Sequence, residues 1–143
     1  MSDDSGLPAA HPAFSAHFTD ELYDDEGGEF APFGTDEGWD MVMEWGEARE
    51  DLEGSTVADL LAESPFPDAA EHLADPGPGG IPTPMGGVDA AVFVVSAAFT
   101  LLRLTGRIDP DGKSLALTAL ERLCAYYDNP PELVRQRQDL AAF

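Results

Sequence analysis

The chain has 143 residues, of which 43% are hydrophobic, so it is long enough for one ordinary hydrophobic core and too short for two. Its 28 Asp and Glu against seven Lys and Arg give a formal net charge of −21. That charge repels nucleic acid, anionic membranes and phosphate-bearing ligands. The composition therefore argues against direct nucleic-acid or membrane binding and favours a basic protein as the partner.

The acidic charge is concentrated in the first half of the chain. Residues 1–75 carry 21 acids against one base, Arg49, a net charge of −20, whereas residues 76–143 carry seven acids and six bases. An acidity imposed on a whole proteome would spread over every exposed face. The asymmetry therefore predicts an electric field directed from one side of the molecule.

Cysteine usage and the start of the sequence predict a cytoplasmic protein. Cys124 is the only cysteine, so it has no partner for an intrachain disulfide. The first ten residues lack the basic and apolar regions of a secretion signal. The longest uncharged apolar stretch, residues 90–102, is shorter than the ~20 residues that cross a bilayer.

Residues 1–34 are predicted to form an irregular acidic N-terminal arm. They contain Pro, Gly, acids and spaced aromatics with neither a helical nor a strand period. Two alternatives remain open: an interaction segment that is partly disordered, and an arm whose aromatics pack onto the main domain. A short helix around residues 14–23 is compatible with either.

Three helices are predicted between the arm and a Pro/Gly-rich loop at residues 76–87. Thr35 is a good N-cap, followed by two acids, for a helix that ends near Asp51. Ser55 is expected to cap a second, short helix, and a third helical turn covers residues 68–74. The loop holds four Pro and five Gly, a composition that interrupts both helix and strand.

The second half of the sequence predicts helices packed around one apolar helix. Residues 88–105 are apolar on nearly every side, which is typical of a helix surrounded by others. A buried strand over residues 92–95 is the competing interpretation, and the alanine content and length favour the helix. Gly106 suits the end of this helix, and Asp109 suits the N-cap of the next. A final helix follows the two prolines at residues 130–131.

These elements together define the predicted fold class. It is all-α, a small bundle of about five or six helices around the central apolar helix, with the irregular acidic arm at its N-terminus. Residues 35–143 form a single helical domain in this prediction. The residues expected to face inward on the last two helices are Leu117, Leu120, Leu123, Cys124, Tyr127, Leu133, Val134 and Leu140.

The predicted helix after Thr35 carries the candidate binding surface. At 100° per residue, seven of its carboxylates fall within an arc of about 140°. They are Asp36, Glu37, Asp40, Glu44, Glu47, Glu50 and Asp51. Like charges four residues apart destabilise a helix by ~0.2–0.5 kcal/mol per pair, so this face carries a cost in stability. The alternative is that the acids are only the solvated face of an amphipathic helix.

The first functional hypothesis is a noncatalytic module that binds a basic protein surface, as an inhibitor, an immunity-type protein or a mimic of nucleic acid. Trp45 is the expected apolar anchor, because Trp is over-represented among the residues that dominate binding energy. No cofactor is expected. The predicted partner-binding residues are Asp36, Asp40, Glu44, Trp45, Glu47 and Asp51.

Two other functions remain open. Glu44, Glu47 and Glu50 form an E-x-x-E-x-x-E sequence, whose carboxylates can hold Mg²⁺. This sequence resembles one of the two motifs of helical nucleotide pyrophosphohydrolases, and the resemblance implies a metal-dependent hydrolase of a small phosphorylated substrate. Because Glu71 and Asp75 have the wrong spacing for the second motif, we do not expect an enzyme. The remaining alternative is a structural or homo-oligomerising helical protein whose acids only keep it in solution.

Overall fold

The computed structural model describes residues 7–74 and 88–143, so the predicted loop at residues 76–87 lies outside the described residues. The described part contains seven α-helices, two short 3₁₀ turns and no strand, which confirms the all-α fold class. The helices are α1 (Pro12–His17), α2 (Asp36–Gly46), α3 (Val57–Ala62), α4 (Ala69–Ala74), α5 (Asp89–Thr105), α6 (Pro110–Tyr127) and α7 (Pro131–Ala142). The 3₁₀ turns cover Glu21–Asp24 and Arg49–Leu52. The bundle was predicted to have about five or six helices, and α1 lies in the N-terminal arm, where it overlaps the short helix that the sequence allowed around residues 14–23.

Helix α5 lies at the centre of the bundle and contacts α1, α2, α3, α4 and α6. Thirteen of its 17 residues are buried, as expected for a segment that is apolar on nearly every side. The prediction of a helix rather than a strand is therefore confirmed. Gly106 ends α5 with φ 73°, the left-handed conformation that glycine adopts most readily at this position.

Helix α2 begins where the sequence predicts and ends earlier. The hydroxyl of Thr35 accepts a hydrogen bond from the Gly38 amide at 2.9 Å, which is the expected N-cap. The helix stops at Gly46, and Ala48, with φ −130° and ψ 35°, leaves helical geometry. The predicted end near Asp51 is therefore wrong. A longer helix would have placed several acids at its C-terminal end, where the macrodipole disfavours anions.

Both α3 and α6 begin with a side-chain N-cap, and the cap of α6 also connects the two helices. The cap of α3 is Thr56, and not Ser55 as predicted, because Thr56 and Asp59 exchange hydrogen bonds in a capping box. Asp109 caps α6 as predicted, and its other carboxylate oxygen accepts a hydrogen bond from the Val57 amide at 2.9 Å. One carboxylate therefore satisfies the first turns of two helices.

The inward faces of α6 and α7 follow the prediction with one exception. Leu120, Leu123, Cys124, Leu133 and Leu140 are buried, while Leu117 and Val134 are half-buried. Tyr127 is 40% exposed, so its predicted inward position is wrong. It lies in the last turn of α6, where Asp128 takes a left-handed conformation and the chain turns towards α7.

Residues 7–34 lie against the core. The rings of Phe14, Phe18, Tyr23 and Phe33 are buried, and Phe18 and Tyr23 both contact Phe99 of α5. These rings supply apolar area that a core of this size needs. Within residues 7–74 and 88–143, no helix combines the length and apolarity needed to cross a membrane.

Candidate acidic groove

An open groove of about 510 Å³ runs between α2, the end of α3 and the first turns of α5. Five of its lining residues are acidic: Asp36, Glu37, Asp40, Glu44 and Glu63. The other lining residues are Met41, Trp45, Leu60, Ser64, Pro65 and Phe93. We call this feature the acidic groove. Among the described residues, no basic side chain lines it.

The helical geometry of α2 sets the spacing of the carboxylates along the groove. Asp36, Asp40 and Glu44 are four residues apart, so they lie on one line with a rise of ~6 Å between neighbours. All three are exposed. Among the described residues, none of the five groove carboxylates is paired with a basic side chain. The repulsion along this line is therefore uncompensated within the described part of the chain.

The floor of the acidic groove is apolar. Met41 and Leu60 are buried side chains of the core cluster that reach the groove from α2 and α3. Trp45 and Phe93 are half-buried and pack against the same cluster. The groove thus offers carboxylates on its rim and ring surface below them, which is the combination that suits a long side chain with an apolar stem and a cationic end.

Four of the six predicted partner-binding residues line the groove. They are Asp36, Asp40, Glu44 and Trp45. Glu47 and Asp51 are exposed, but they lie outside the lining because α2 ends at Gly46 and the chain changes direction there.

The sequence did not identify the opposite wall of the groove. Glu63 follows α3 and Phe93 belongs to α5, so both approach α2 only in the folded chain. No spacing along the sequence relates them to Asp40 or Glu44. Glu37 lay within the predicted acidic arc but was not one of the six predicted partner-binding residues, and its place in the lining now groups it with Asp36, Asp40 and Glu44.

The E-x-x-E-x-x-E sequence does not form a helical metal site. Glu44 lies in α2, Glu47 is the residue after its end, and Glu50 belongs to the following 3₁₀ turn. In the part of the chain that the structure describes, no group of three or more His, Cys, Asp or Glu side chains is arranged to hold a metal ion.

Some acids of the arm face bases of the second half of the chain. Asp24 lies 3.3 Å from the Arg103 guanidinium, and Asp20 lies 3.8 Å from that of Arg135. These two carboxylates of the arm are therefore held in ion pairs. The groove acids differ from them because no base of residues 7–74 and 88–143 forms an ion pair with them.

The single cysteine is a core residue. Cys124 is buried, and burial raises the pKa of its thiol above the ordinary value, which lowers the fraction of reactive thiolate. Its place on the inward face of α6 is typical of an inert structural thiol.

Comparison of the chain with protein-family models, with curated proteins and with solved structures finds no significant match.

Proposed function

We propose that this chain is a noncatalytic protein-binding module whose acidic groove receives a basic segment of another protein. The proposal rests on the lining of the groove, in which the described residues supply five carboxylates and an apolar floor but no base. Roles of this kind include an inhibitor, an immunity-type partner of a basic protein and a mimic of nucleic acid. A cytoplasmic location and homo-oligomerisation stay predictions.

The chemistry of the groove favours Lys and Arg side chains. Their aliphatic stems can cover Met41 and Phe93 while their charged ends reach the rim carboxylates. A guanidinium over the Trp45 ring would add a cation–π contact. Each exposed carboxylate–cation pair contributes about 0.2–1 kcal/mol, so several pairs and an anchored ring are needed for stable binding.

The spacing of the carboxylates also suits a regular basic segment. Asp36, Asp40 and Glu44 repeat every ~6 Å along α2. Basic residues four apart on a helix repeat at the same interval, and alternate residues of a strand repeat at ~6.6 Å. The electric field of these carboxylates accelerates association with a basic partner and makes the association rate sensitive to salt.

The test is a capture experiment with a groove variant and a charge-matched control. Asp40→Asn with Glu44→Gln removes two groove charges, and Glu47→Gln with Asp51→Asn removes two exposed charges outside the groove. Proteins captured from a cell lysate by the unmodified chain at about 50 mM salt should diminish at about 150 mM, where the Debye length is shorter. For a captured partner, the groove variant should weaken binding by about two- to thirty-fold, and the control should not.

The two double variants distinguish binding at the acidic groove from attraction to the overall negative charge of the chain. Equal weakening by both double variants would show that only the overall field matters. Unchanged binding by the groove variant would remove the proposal and leave the structural or oligomerising alternative. In either case the groove variant should be more stable by about 0.4–1.0 kcal/mol, because Asp40 repels both Asp36 and Glu44 at i,i+4 spacing. Urea unfolding measures this effect separately from binding.

A further inference from the structure

A small cavity lies beside the acidic groove, enclosed by the segment that precedes α2 and by α5, α6 and α7. Thr35 lines this cavity and the next residue, Asp36, lines the groove, so the two sites meet at the start of α2. The volume of the cavity is about 40 Å³, against the ~10–15 Å³ that one water molecule needs. It therefore admits only about two or three non-hydrogen atoms. We call it the Gln136 cavity.

The polar side chains of the lining carry hydrogen-bond acceptors. They belong to Glu29, Thr35, Ser96, Tyr127 and Gln136. Each of these side chains has an oxygen that can accept a hydrogen bond. Among the described residues, no basic side chain lines the cavity. The lining therefore favours a ligand that donates hydrogen bonds and carries positive charge over one that carries negative charge.

The amide of Gln136 is the acceptor with the clearest need of a donor. The exposure of this residue is 0%, although glutamine is among the residues that are mostly exposed in proteins. The amide nitrogen donates a hydrogen bond to the Phe30 carbonyl, which fixes the side chain against the segment before α2. The amide oxygen, Oε1, is buried and has no hydrogen-bond partner among the described residues. An unpaired buried acceptor is costly, so a donor in the cavity would stabilise the fold.

We propose that the Gln136 cavity takes the ammonium end of a lysine side chain that belongs to the same basic partner as the segment in the acidic groove. The inference in this form rests on the proposed function. An ammonium group and its neighbouring methylene have two non-hydrogen atoms, which the volume admits, whereas a guanidinium has four, which it does not. The three N–H donors of the ammonium suit a lining with several acceptors. The cavity therefore distinguishes lysine from arginine.

The opening of the cavity suits the methylene stem and balances the charge. The rings of Phe30 and Tyr127 have centroids 5.0 Å apart there, and Tyr127 is 40% exposed. Such rings cover an aliphatic stem and attract a cation. The exposed Glu29 also lines the cavity, so the ammonium is not buried without a partner charge. Partial burial raises the pKa of the Tyr127 phenol, and the carboxylates of Glu29 and Asp89 raise it further, so their negative field reaches the opening.

The test compares two cations that reproduce the side chains of lysine and arginine. They are n-butylammonium and n-propylguanidinium, each with one positive charge. The methyl signals of Val95, Leu123 and Leu133, which line the cavity, are followed by NMR during titration at constant ionic strength. We expect saturable shifts with n-butylammonium. The dissociation constant of n-propylguanidinium should be higher by about ten-fold or more, because its head group does not reach Oε1 of Gln136.

Two variants assign the interactions. Gln136→Met keeps a side chain of similar length and removes the acceptor, so it should weaken n-butylammonium binding by about ten-fold or more. Glu29→Gln removes the counter-charge at an exposed position, where folding is not at risk, and should weaken binding by about two- to five-fold. Glu26→Gln is the matched control, because Glu26 is an exposed carboxylate of the same arm that does not line the cavity. It should leave the dissociation constant unchanged.

Three results would overturn the inference without affecting the acidic groove. The first is the absence of saturable methyl shifts with n-butylammonium, as for a cavity that holds water only. The second is an equal dissociation constant for the two cations, which would show attraction by net charge alone. The third is an equal effect of Glu29→Gln and Glu26→Gln. If instead the capture experiment refuted the groove while n-butylammonium still bound, the ammonium site would stand and its assignment to a lysine of that partner would be overturned.

Discussion

The buried Arg103 offers the sharpest test of how the N-terminal arm is held on the core. Its side chain is almost inaccessible, with the residue only 4% exposed. Nε donates to the Pro8 carbonyl at 2.8 Å, and Nη1 donates to the Tyr23 carbonyl and to the Asp24 carboxylate, each at 3.3 Å. The guanidinium also lies 5.3 Å from the centroid of the Phe33 ring. One cation of α5 therefore holds several points of the arm.

These contacts set the expected contribution of Arg103 to the free energy of unfolding. Hydrogen bonds from a charged donor contribute about 1.5–3 kcal/mol each, so the two bonds to carbonyls together contribute about 3–6 kcal/mol before desolvation of the guanidinium is subtracted. We expect Arg103→Met to lower the free energy of unfolding by about 3 kcal/mol. For a chain of this length, that corresponds to a fall in Tm of roughly 6–12 °C. Urea unfolding and a thermal scan measure both values.

The Asp24 carboxylate provides the contrast. Its side chain is 71% exposed, so solvent screens its pair with Arg103. Asp24→Asn should cost less than about 1 kcal/mol. If Asp24→Asn destabilised the chain as much as Arg103→Met, the salt bridge would be the main interaction, and the assignment of stability to the backbone carbonyls would be refuted.

Three further predictions concern the side chains of Tyr23, Asp109 and Cys124. Burial and the hydrogen bond to Asp139 raise the pKa of Tyr23 far above 10.0, so the folded state keeps this proton above pH 10 while the unfolded state loses it. Stability should therefore fall as the pH rises above ~10, and Tyr23→Phe should flatten that decline in urea unfolding followed against pH. Asp109→Ala should cost about 2 kcal/mol in urea unfolding, because it removes the α6 cap and the bond to Val57, and a loss under 0.5 kcal/mol would contradict this. Cys124 should react with a thiol reagent far more slowly in the folded chain than in urea, and equal rates would contradict its burial.

The sequence determined the helices wherever a local signal was sufficient. The apolar residues of α5, the Thr35 and Asp109 caps and the glycine at 106 are recognisable from the chain itself, because helix ends depend on the side chains next to them. The end of α2 was missed, and so was the cap of α3. Thr56 and Ser55 are adjacent residues with similar capping strength, and the choice between them depends on which one can form the box with Asp59.

The row of carboxylates on α2 was likewise recognisable from the sequence. The groove that this row lines was not. The composition and spacing gave a row of carboxylates with Trp45 among them. The fold decided that Glu63 and Phe93 complete a groove with that row and that Asp51 lies outside it. It also decided that the amide nitrogen of Gln136 in α7 donates to the Phe30 carbonyl, while the amide oxygen is buried without a partner among the described residues. Such contacts join residues far apart in the chain, so no local pattern encodes them, and only the packing of the helices on α5 and α6 brings them together.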